Sequence, residues 1–482
     1  MELFIIIALP LVAALICSLS RVKRSVEFVT IVASVASFGA ALVMAQKVAR
    51  LGLYSPVPYF SVDAIGMIIV LLVTGIGCAA AIYSAPYFQA EVHKQIVGFR
   101  RVRQYFILFN LFLTAMVLAV TTTSPVMMWM FIEATTLSTA FLISFYHKPS
   151  ALEAAWKYLM INSVGLLLSF FGTLLYFTAI PLADRGSLVN WDTLISNISS
   201  LDPFIAKVAF IFVLIGYGTK IGFFPMHTWK PDAYSKASSP IGALFSGALL
   251  PVVFFAALKF KFLTDMVVGA EYSRNLFTAF GMMSIAVAAL IIFTQVNYKR
   301  LLAYSTIEHA GVMAIGFGLG GIAATAALLH MIYHSLVKSA LFFSAGNLFL
   351  KYSSTKIVNV RDAITLIPFT SVLLVLGFLA STGVPPFGLF FTEMYILLAA
   401  IKAFPVIAVA MLVCFAVIFA GFLKHVSAML FGTAPEGLLV GEVSPWLMVS
   451  PVVLLAMVVV LTFHPPVFIV TLLNAALVAP SL

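Results

Sequence analysis

Charged residues are scarce in this chain of 482 residues, since lysine, arginine, aspartate and glutamate together make up only 9%. A soluble domain carries about a quarter charged residues, so this sequence cannot cover a folded surface of its size with polar groups. Hydrophobic residues account for 63%, and the mean hydropathy is +1.13. These values exclude a soluble globular protein and indicate an integral membrane protein.

Cysteine is scarce too, and segments of alternating polarity are missing. Cys17, Cys78 and Cys414 lie far apart in apolar runs and form no CxxC pair. A self-ligated iron–sulfur cluster or zinc knuckle is therefore not expected. The lysines and arginines behind the net charge of +10 do not cluster on one face, so nucleic acid is not a predicted partner.

The fold class follows from the missing segments of alternating polarity. Backbone in lipid must satisfy its own hydrogen bonds, and without such strands only helices can do so, which predicts an all-α polytopic fold.

About fourteen apolar runs are long enough to cross a bilayer, which takes ~20 residues per helix. We expect the first run to be a retained helix rather than a signal peptide. The runs fall at about 2–20, 26–46, 63–86, 104–122, 125–146, 152–179, 204–229, 238–262, 274–296, 301–320, 322–350, 364–400, 403–431 and 446–475.

Two of these runs contain internal helix breakers. The seventh is interrupted at Gly222–Pro225 and the twelfth at Gly383–Gly388. Because proline removes a donor and clashes with the preceding turn, we expect both helices to be broken within the membrane. The broken helices lie five runs apart, and an odd offset inverts the topology. This pattern is typical of transporters with inverted repeats.

The predicted organisation therefore has four parts. Residues 1–103 form an N-terminal segment of three helices, and 432–482 form a C-terminal helix and tail. Two inverted five-helix repeats lie between them, at 104–262 and 274–431. Loops after odd-numbered runs carry about twice as many lysines and arginines as the others. The odd side is therefore predicted to be cytoplasmic, with both termini outside.

A few ionisable residues lie inside the apolar runs, where each costs ~2.5–3.5 kcal/mol at a helix centre. Glu133 lies midway along run five and Lys220 just before the first break. Glu133 is either a buried neutral carboxyl group or a proton-binding one whose ionisation depends on a nearby cation. Lys220 is either an amine that reaches the surface or one that exchanges a proton, since burial favours the neutral amine.

A second group lies on run eleven, where His330, His334 and Lys338 are spaced i, i+4 and i+8. This spacing places them in one polar stripe. The stripe is predicted to conduct protons. A polar packing seam is one alternative, and a zinc site on the two histidines is another, although no third ligand is evident.

Other candidates lie near the breaks and at helix ends. Glu393 follows the second break, and is either a terminal proton acceptor or a carboxylate that faces water. Supporting roles are expected for His227, Glu308 and His309. Glu153 and Lys157, spaced i and i+4, form either a functional pair or a simple helix-stabilising ion pair. Asp63 is expected to be structural, and the glycines at 316–321 to form a turn between two membrane runs.

Several stretches make the sequence similar to the antiporter-like subunits shared by respiratory complex I, membrane-bound group-4 hydrogenases and Mrp-type sodium/proton antiporters. The resemblance runs from about run three to run thirteen and is strongest to the F subunit of hydrogenase-4-type formate hydrogenlyase. The stretches are FIEATTLSTAFLISF, LEAAWKY, TKIGFFPMHTWKPDAYSKASSP, NYKRLLAYSTIEHAG, LLHMIYHSLVKSALFF and GVPPFGLFFTE.

The resemblance implies a proton path along a central polar axis in a prokaryotic cell membrane. By position, Glu133 and Lys220 would be the coupling pair, Lys338 with His330 and His334 would continue the axis, and Glu393 would lie at the exit. The chain would bind no cofactor or metal. Iron–sulfur clusters, and nickel–iron in a hydrogenase, would belong to partner subunits, namely other membrane subunits and a peripheral redox arm.

One departure concerns run eight, where many members of this superfamily carry a lysine between the two half-channels. Pro251 stands about where that lysine is expected, so either water with His309 or Glu308 bridges the gap, or the subunit pumps poorly. The leading hypothesis is a proton-translocating subunit of a redox-driven complex. One alternative is a subunit of an Mrp-type sodium/proton antiporter, and another is a non-conducting membrane scaffold. The sequence leaves open whether protons or sodium ions are transported.

Overall fold

The computed structural model describes residues 1–181 and 189–478. In these residues the chain is almost wholly helical, and its one sheet is a short antiparallel hairpin of β1 (Tyr54–Val57) and β2 (Phe60–Val62). The helices are α1 (Glu2–Leu19), α2 (Lys23–Leu51), α3 (Ala64–His93), α4 (Phe99–Thr121), α5 (Pro125–Ile143), α6 (Pro149–Tyr176), α7 (Trp191–Asn197), α8 (Pro203–Ile221), α9 (Trp229–Lys236), α10 (Ser239–Leu244), α11 (Leu250–Val268), α12 (Ala270–Ile292), α13 (Tyr298–Leu319), α14 (Gly321–Tyr352), α15 (Ala363–Leu366), α16 (Pro368–Ser381), α17 (Gly388–Ala403), α18 (Pro405–Leu430), α19 (Trp446–Phe463) and α20 (Val467–Val478).

The predicted all-α polytopic fold is confirmed. Within the described residues, 12 helical stretches are long and apolar enough to cross a membrane. The fourteen predicted runs correspond to these stretches together with α13 and the pair α16–α17. The charged residues on α13, among them Lys299 and Glu308, lower its hydropathy, whereas α16 and α17 are each too short to span alone. The last run was predicted as one helix, but Pro465 and Pro466 divide it into α19 and α20.

Both predicted breaks are present. Helix α8 ends at Gly222, which has a φ of +88°, and α16 is followed by Gly383, with a φ of +62°. A proline in a cis peptide lies three residues after each glycine, at Pro225 and Pro386. The two breaks thus share a local pattern of the kind that inverted repeats would produce, while the repeat boundaries at 104–262 and 274–431 stay predictions.

The most deeply buried helices lie at the centre of the molecule. Helix α14 packs against α3, α10, α13, α16, α17 and α19 and is buried along nearly its whole length, as are α10 and α11. Helices α1, α18 and α19 are more hydrophobic yet largely exposed. Lipid-facing helices need apolar surfaces, whereas polar residues are tolerated where neighbouring helices bury them. Accordingly, α13 and α14 hold a cluster of buried ionisable residues, namely Glu308, His309, His330, His334 and Lys338.

The eighth run contains an irregular turn at the centre of the bundle. Between α10 and α11, residues Phe245–Leu249 form a π-helical turn, and Pro251 follows in the first turn of α11. Proline lacks the N–H of the regular helical bond and its ring crowds the preceding turn, so a wider turn suits this site. The eighth run contributes Ser246 to the interior and no lysine at the position of Pro251.

Candidate functional site

A chain of hydrogen bonds joins Lys220 to Glu133 in the first half of the molecule. The Lys220 ammonium, at the end of α8, donates to Thr136 Oγ1 at 2.7 Å and to the Tyr158 hydroxyl at 2.7 Å. Thr136 Oγ1 donates in turn to Glu133 Oε2 at 3.1 Å, and Ser163 Oγ donates to the other oxygen at 2.8 Å. The lysine and the glutamate, predicted as a contacting pair, are therefore linked through a hydroxyl group.

The second half contains the same order of groups. Lys338, on α14, donates to Ser305 Oγ, and Ser305 Oγ donates to Glu308 Oε2 at 3.2 Å. All three side chains are buried. A lysine, a hydroxyl group and a glutamate thus occur in sequence twice in the described residues. Such a bridge keeps opposite charges close enough to interact while it leaves each free to gain or lose a proton.

Three histidines connect the second cluster to the broken helix α16–α17. His309 Nδ1 lies 2.9 Å from His330 Nε2, and His330 Nδ1 lies 2.9 Å from Thr392 Oγ1. The rings of His309 and His334 are 4.9 Å apart between centroids. Glu393 Oε1 lies 4.0 Å from His309 Nδ1. This series of polar side chains therefore extends from α14 through α13 to the first turns of α17.

The polar stripe predicted on run eleven is present and fully buried on α14. His330, His334 and Lys338 have no measurable exposure. His334 Nε2 lies 3.4 Å from Ser246 Oγ in the π-helical turn, and Ser246 Oγ lies 2.9 Å from Thr306 Oγ1. The stripe thus meets the eighth run at the middle of the bundle, where the two halves of the molecule adjoin.

The supporting candidates lie at different distances from this path. His227 is buried beside Phe224 and Tyr304, and its Nδ1 has no hydrogen-bond partner among the described residues. Glu153 and Lys157 form an exposed ion pair at 2.6 Å, and Lys157 Nζ also lies 3.5 Å from Asp232. This pair fits the simple helix-stabilising alternative and lies at the rim of the bundle.

Asp63, predicted to be structural, forms a buried ion pair with Lys259 at 2.8 Å. Its other oxygen accepts from the backbone N–H of Gly66 at 2.6 Å and so caps α3. An aspartate in this position satisfies one of the orphan donors of the first helical turn. Lys259 is itself buried and lies inside the bundle.

Lys230 is the principal residue that the sequence did not single out. It lies on α9, directly after the first break, and is only 1% exposed. Its Nζ donates to the carbonyl oxygen of Ile221 at 2.6 Å. In the sequence Lys230 resembles the nearby loop lysine Lys236, because a residue beside a helix break has no periodicity that would reveal the direction of its side chain.

The hydroxyl groups that link the charged residues were also missed. Serine and threonine are common in membrane helices, where they usually bond to the backbone one turn earlier. Only the packing of α6 against both α5 and α8 places Thr136 between Glu133 and Lys220. No spacing rule in the sequence distinguishes such a threonine from its neighbours.

One group of side chains has the composition of a metal site. Ligand atoms of His309, His330 and Glu393 all lie within 4.8 Å of one another. The zinc alternative paired His330 with His334, but the structure offers His309 and Glu393 instead. The ring nitrogens of His309 and His330 are hydrogen-bonded to each other, so a bound metal would have to break that bond. The arrangement suits proton exchange between imidazoles as it stands.

A many-helix membrane bundle with two broken helices and a buried polar axis defines the class of antiporter-like membrane subunits. The chain belongs to the NADH:quinone oxidoreductase/Mrp antiporter transmembrane family, whose profile matches residues 122–419. It is 38% identical over 361 residues to the hydrogenase-4 component F homolog of Methylacidiphilum infernorum, covering 74% of this chain and 76% of that protein. The predicted resemblance is thereby confirmed.

Solved structures show the same fold. A chain of the membrane-bound sulfane sulfur reductase, an archaeal respiratory membrane complex, superposes with a TM-score of 0.86 at 22% identity. The match covers 98% of this chain and 96% of that one. A chain of the Mrp complex from Dietzia superposes with a TM-score of 0.85 at 17% identity over 100% of this chain and 98% of the other.

Proposed function

We propose that this chain is a proton-translocating subunit of a redox-driven multisubunit complex in a prokaryotic cell membrane. The observation that carries the proposal is the pair of lysine–hydroxyl–glutamate bridges, one in each half and each with a buried lysine, with histidines leading on to Glu393. Each ionised group inside a membrane is costly, so a set of this size is expected where ions cross.

The proposed route begins at Glu133 and Lys220. A change at a partner interface would alter the distance between them, which Thr136 bridges at present. Removal of a nearby opposite charge favours the neutral amine, so Lys220 would release its proton towards the centre. The proton would pass to Lys338 and the histidines and leave by Glu393. Opposite charges a few ångströms apart interact by several kcal/mol in this environment, which is enough to drive such a release.

The redox chemistry is proposed to occur in partner subunits. Iron–sulfur clusters, and nickel–iron if the complex is a hydrogenase, would be held by a peripheral arm, and other membrane subunits would contact this chain. The similarity to a hydrogenase-4 component supports this choice. Glu133 and Ser163 are only partly buried, and a partner subunit would shield this polar pair from lipid.

The test uses membrane vesicles from cells that carry the complete complex. Lys220→Ala and Glu133→Gln, in separate variants, are expected to abolish most proton movement, because each removes one end of the bridge. A ΔpH-sensitive dye reports proton movement, and redox turnover is measured in the same vesicles. If turnover stays coupled to proton movement in both variants, the chain is a scaffold and the proposal is wrong.

A second candidate is a subunit of an Mrp-type sodium/proton antiporter, which the fold match to the Mrp complex favours. The two candidates differ in their partners and in the ion that moves. Purification of the intact complex, followed by mass spectrometry, is expected to recover iron–sulfur subunits. Their absence, together with uptake of radioactive sodium driven by a pH gradient, would favour the antiporter instead.

A further inference from the structure

The two halves of the polar axis are separated at the centre of the bundle. Lys220 and its partners form one end, and His334 with Lys338 forms the other. The eighth run, which lies between them, offers a serine hydroxyl at Ser246 and an apolar stretch around Pro251. A proton that crosses between the halves needs a group there that can hold it.

Lys230 lies at this junction. Its Nζ is bonded to the carbonyl of Ile221, the residue directly after Lys220. Among the described residues no carboxylate forms an ion pair with it, although it is almost fully buried. A buried amine without a counter-ion is costly to keep charged. Such a residue is well suited to alternate between its neutral and charged forms.

Helix α9, which carries Lys230, packs against α13 in the second half. The Tyr234 ring, whose centroid lies 5.6 Å from Lys230 Nζ, stacks on Phe245. The next residue, Ser246, lies against His334. His334 Nδ1 has no hydrogen-bond partner among the described residues, so this nitrogen is available to accept a proton.

The second break has an ionisable residue in the same relation to its glycine. Gly383 faces the carboxyl group of Glu393, which comes from the half-helix after that break. Gly222 faces the side chain of Lys230, which likewise comes from the half-helix after its break. In both places a side chain added to the glycine would occupy the space of the ionisable group. Lys230 therefore holds in the first half the position that Glu393 holds in the second.

We propose that Lys230 is the relay that carries protons between the two halves. This inference rests on the proposed function. The Lys220 ammonium gives a proton, by way of water, to the neutral amine of Lys230, and Lys220 becomes neutral. The Lys230 ammonium then gives a proton, likewise by way of water, to the neutral imidazole of His334 at Nδ1 and returns to its neutral form. One positive charge moves along the axis and no other reactant is consumed.

The test compares three substitutions of Lys230 in vesicles that contain the complete complex. Lys230→Met removes the proton site and is expected to slow proton movement about tenfold or more at equal amounts of complex. Lys230→Arg keeps the charge and a donor for the Ile221 carbonyl but does not release its proton. It is expected to be as slow as Lys230→Met. Lys230→His can exchange a proton and is expected to recover part of the rate.

Lys299 supplies the matched control. It is also a buried lysine, 3% exposed, whose Nζ donates to a backbone carbonyl, that of Ala237, at 3.1 Å. Lys299→Met is expected to keep its proton movement per complex, because the loss of a buried amine alone does not interrupt the axis. The amount of assembled complex is measured by immunoblot for every variant.

The outcomes separate this inference from the proposed function. If Lys220→Ala blocks proton movement and Lys230→Met does not, the relay is wrong and the proposed function stands. If neither variant blocks it, both fail. If Lys230→Arg moves protons at the normal rate, a fixed charge suffices and the relay is again wrong. Lys230→Arg decides the question if Lys230→Met fails to accumulate, because it preserves both charge and bulk.

Discussion

Thr136 is the side chain that connects Lys220 to Glu133 by hydrogen bonds. Its hydroxyl group accepts a hydrogen bond from the lysine and donates one to the glutamate, so it holds the two charged groups in position relative to each other. A methyl group of the same shape would leave both without this partner. The hydroxyl, and not the bulk of the side chain, is therefore expected to matter for transport.

We predict that Thr136→Val slows proton movement by about tenfold, whereas Thr136→Ser leaves it within about twofold. Valine matches threonine in shape but cannot bridge, and serine keeps the hydroxyl. The ΔpH-sensitive dye in complex-containing vesicles checks both. Equal rates in the valine and serine variants would mean that Lys220 and Glu133 need no bridge.

We expect Asp63 to contribute to stability rather than to transport. Its pairing with Lys259 is buried, and removal of one partner from a buried ion pair costs about 3–5 kcal/mol. We predict that Asp63→Asn lowers the melting temperature of the detergent-purified complex while proton movement per assembled complex stays unchanged. Asparagine can still cap α3, so the loss would report on the ion pair. An unaltered melting temperature would contradict this account.

At the scale of helices, the two breaks place ionisable groups inside the helical bundle. A continuous helix would carry its backbone through the space that Lys230 and Glu393 now fill. The positive φ of Gly222 and Gly383 lets the chain turn away, and the absence of a Cβ leaves room for the neighbouring side chain. The breaks are thus part of the polar axis as well as of the fold.

We predict that Gly222→Ala reduces proton movement more than Gly269→Ala does. Both glycines have a φ of +88°, but a Cβ at Gly222 would come within 2.7 Å of the Lys230 side chain, whereas Gly269 has open space. The backbone of Gly269 is the less tolerant of the two, since its ψ of 154° lies outside the left-handed helical region. The two variants therefore separate the effect of the contact with Lys230 from the conformational cost of placing alanine at a positive φ. Thermal stability is measured alongside transport. A larger loss of transport in Gly269→Ala would show that the contact is unimportant.

At the scale of the whole molecule, the charge distribution predicts its orientation in the membrane. Ser55 lies in the hairpin after the second run and is exposed, and Val358 lies after the eleventh run and is 65% exposed. The predicted orientation puts Ser55 outside and Val358 in the cytoplasm. The native cysteines lie within apolar helices, and Cys17 is buried.

We predict that an impermeant maleimide labels Ser55→Cys in intact cells and labels Val358→Cys only after the membrane is permeabilised. The unsubstituted protein provides the background labelling of Cys78 and Cys414. The reverse pattern would invert the topology and would exchange the entry and exit sides of the proposed path.

The sequence by itself determined that the protein lies in lipid, that its fold is helical and where both helices are broken. These follow from hydropathy, from the demand of the backbone for hydrogen bonds in lipid and from glycine and proline, all of which act locally. It also pointed to Glu133, Lys220, His330, His334, Lys338 and Glu393, because charge in an apolar run is conspicuous.

Tertiary structure alone decided how these groups are connected. Thr136 and Ser305 became bridges, and Lys230 became a buried amine, because helices distant in sequence pack around them. A hydrogen bond depends on tenths of an ångström and on the direction of a side chain. Neither the composition nor the spacing of residues along one helix specifies what the neighbouring helix brings to the same place.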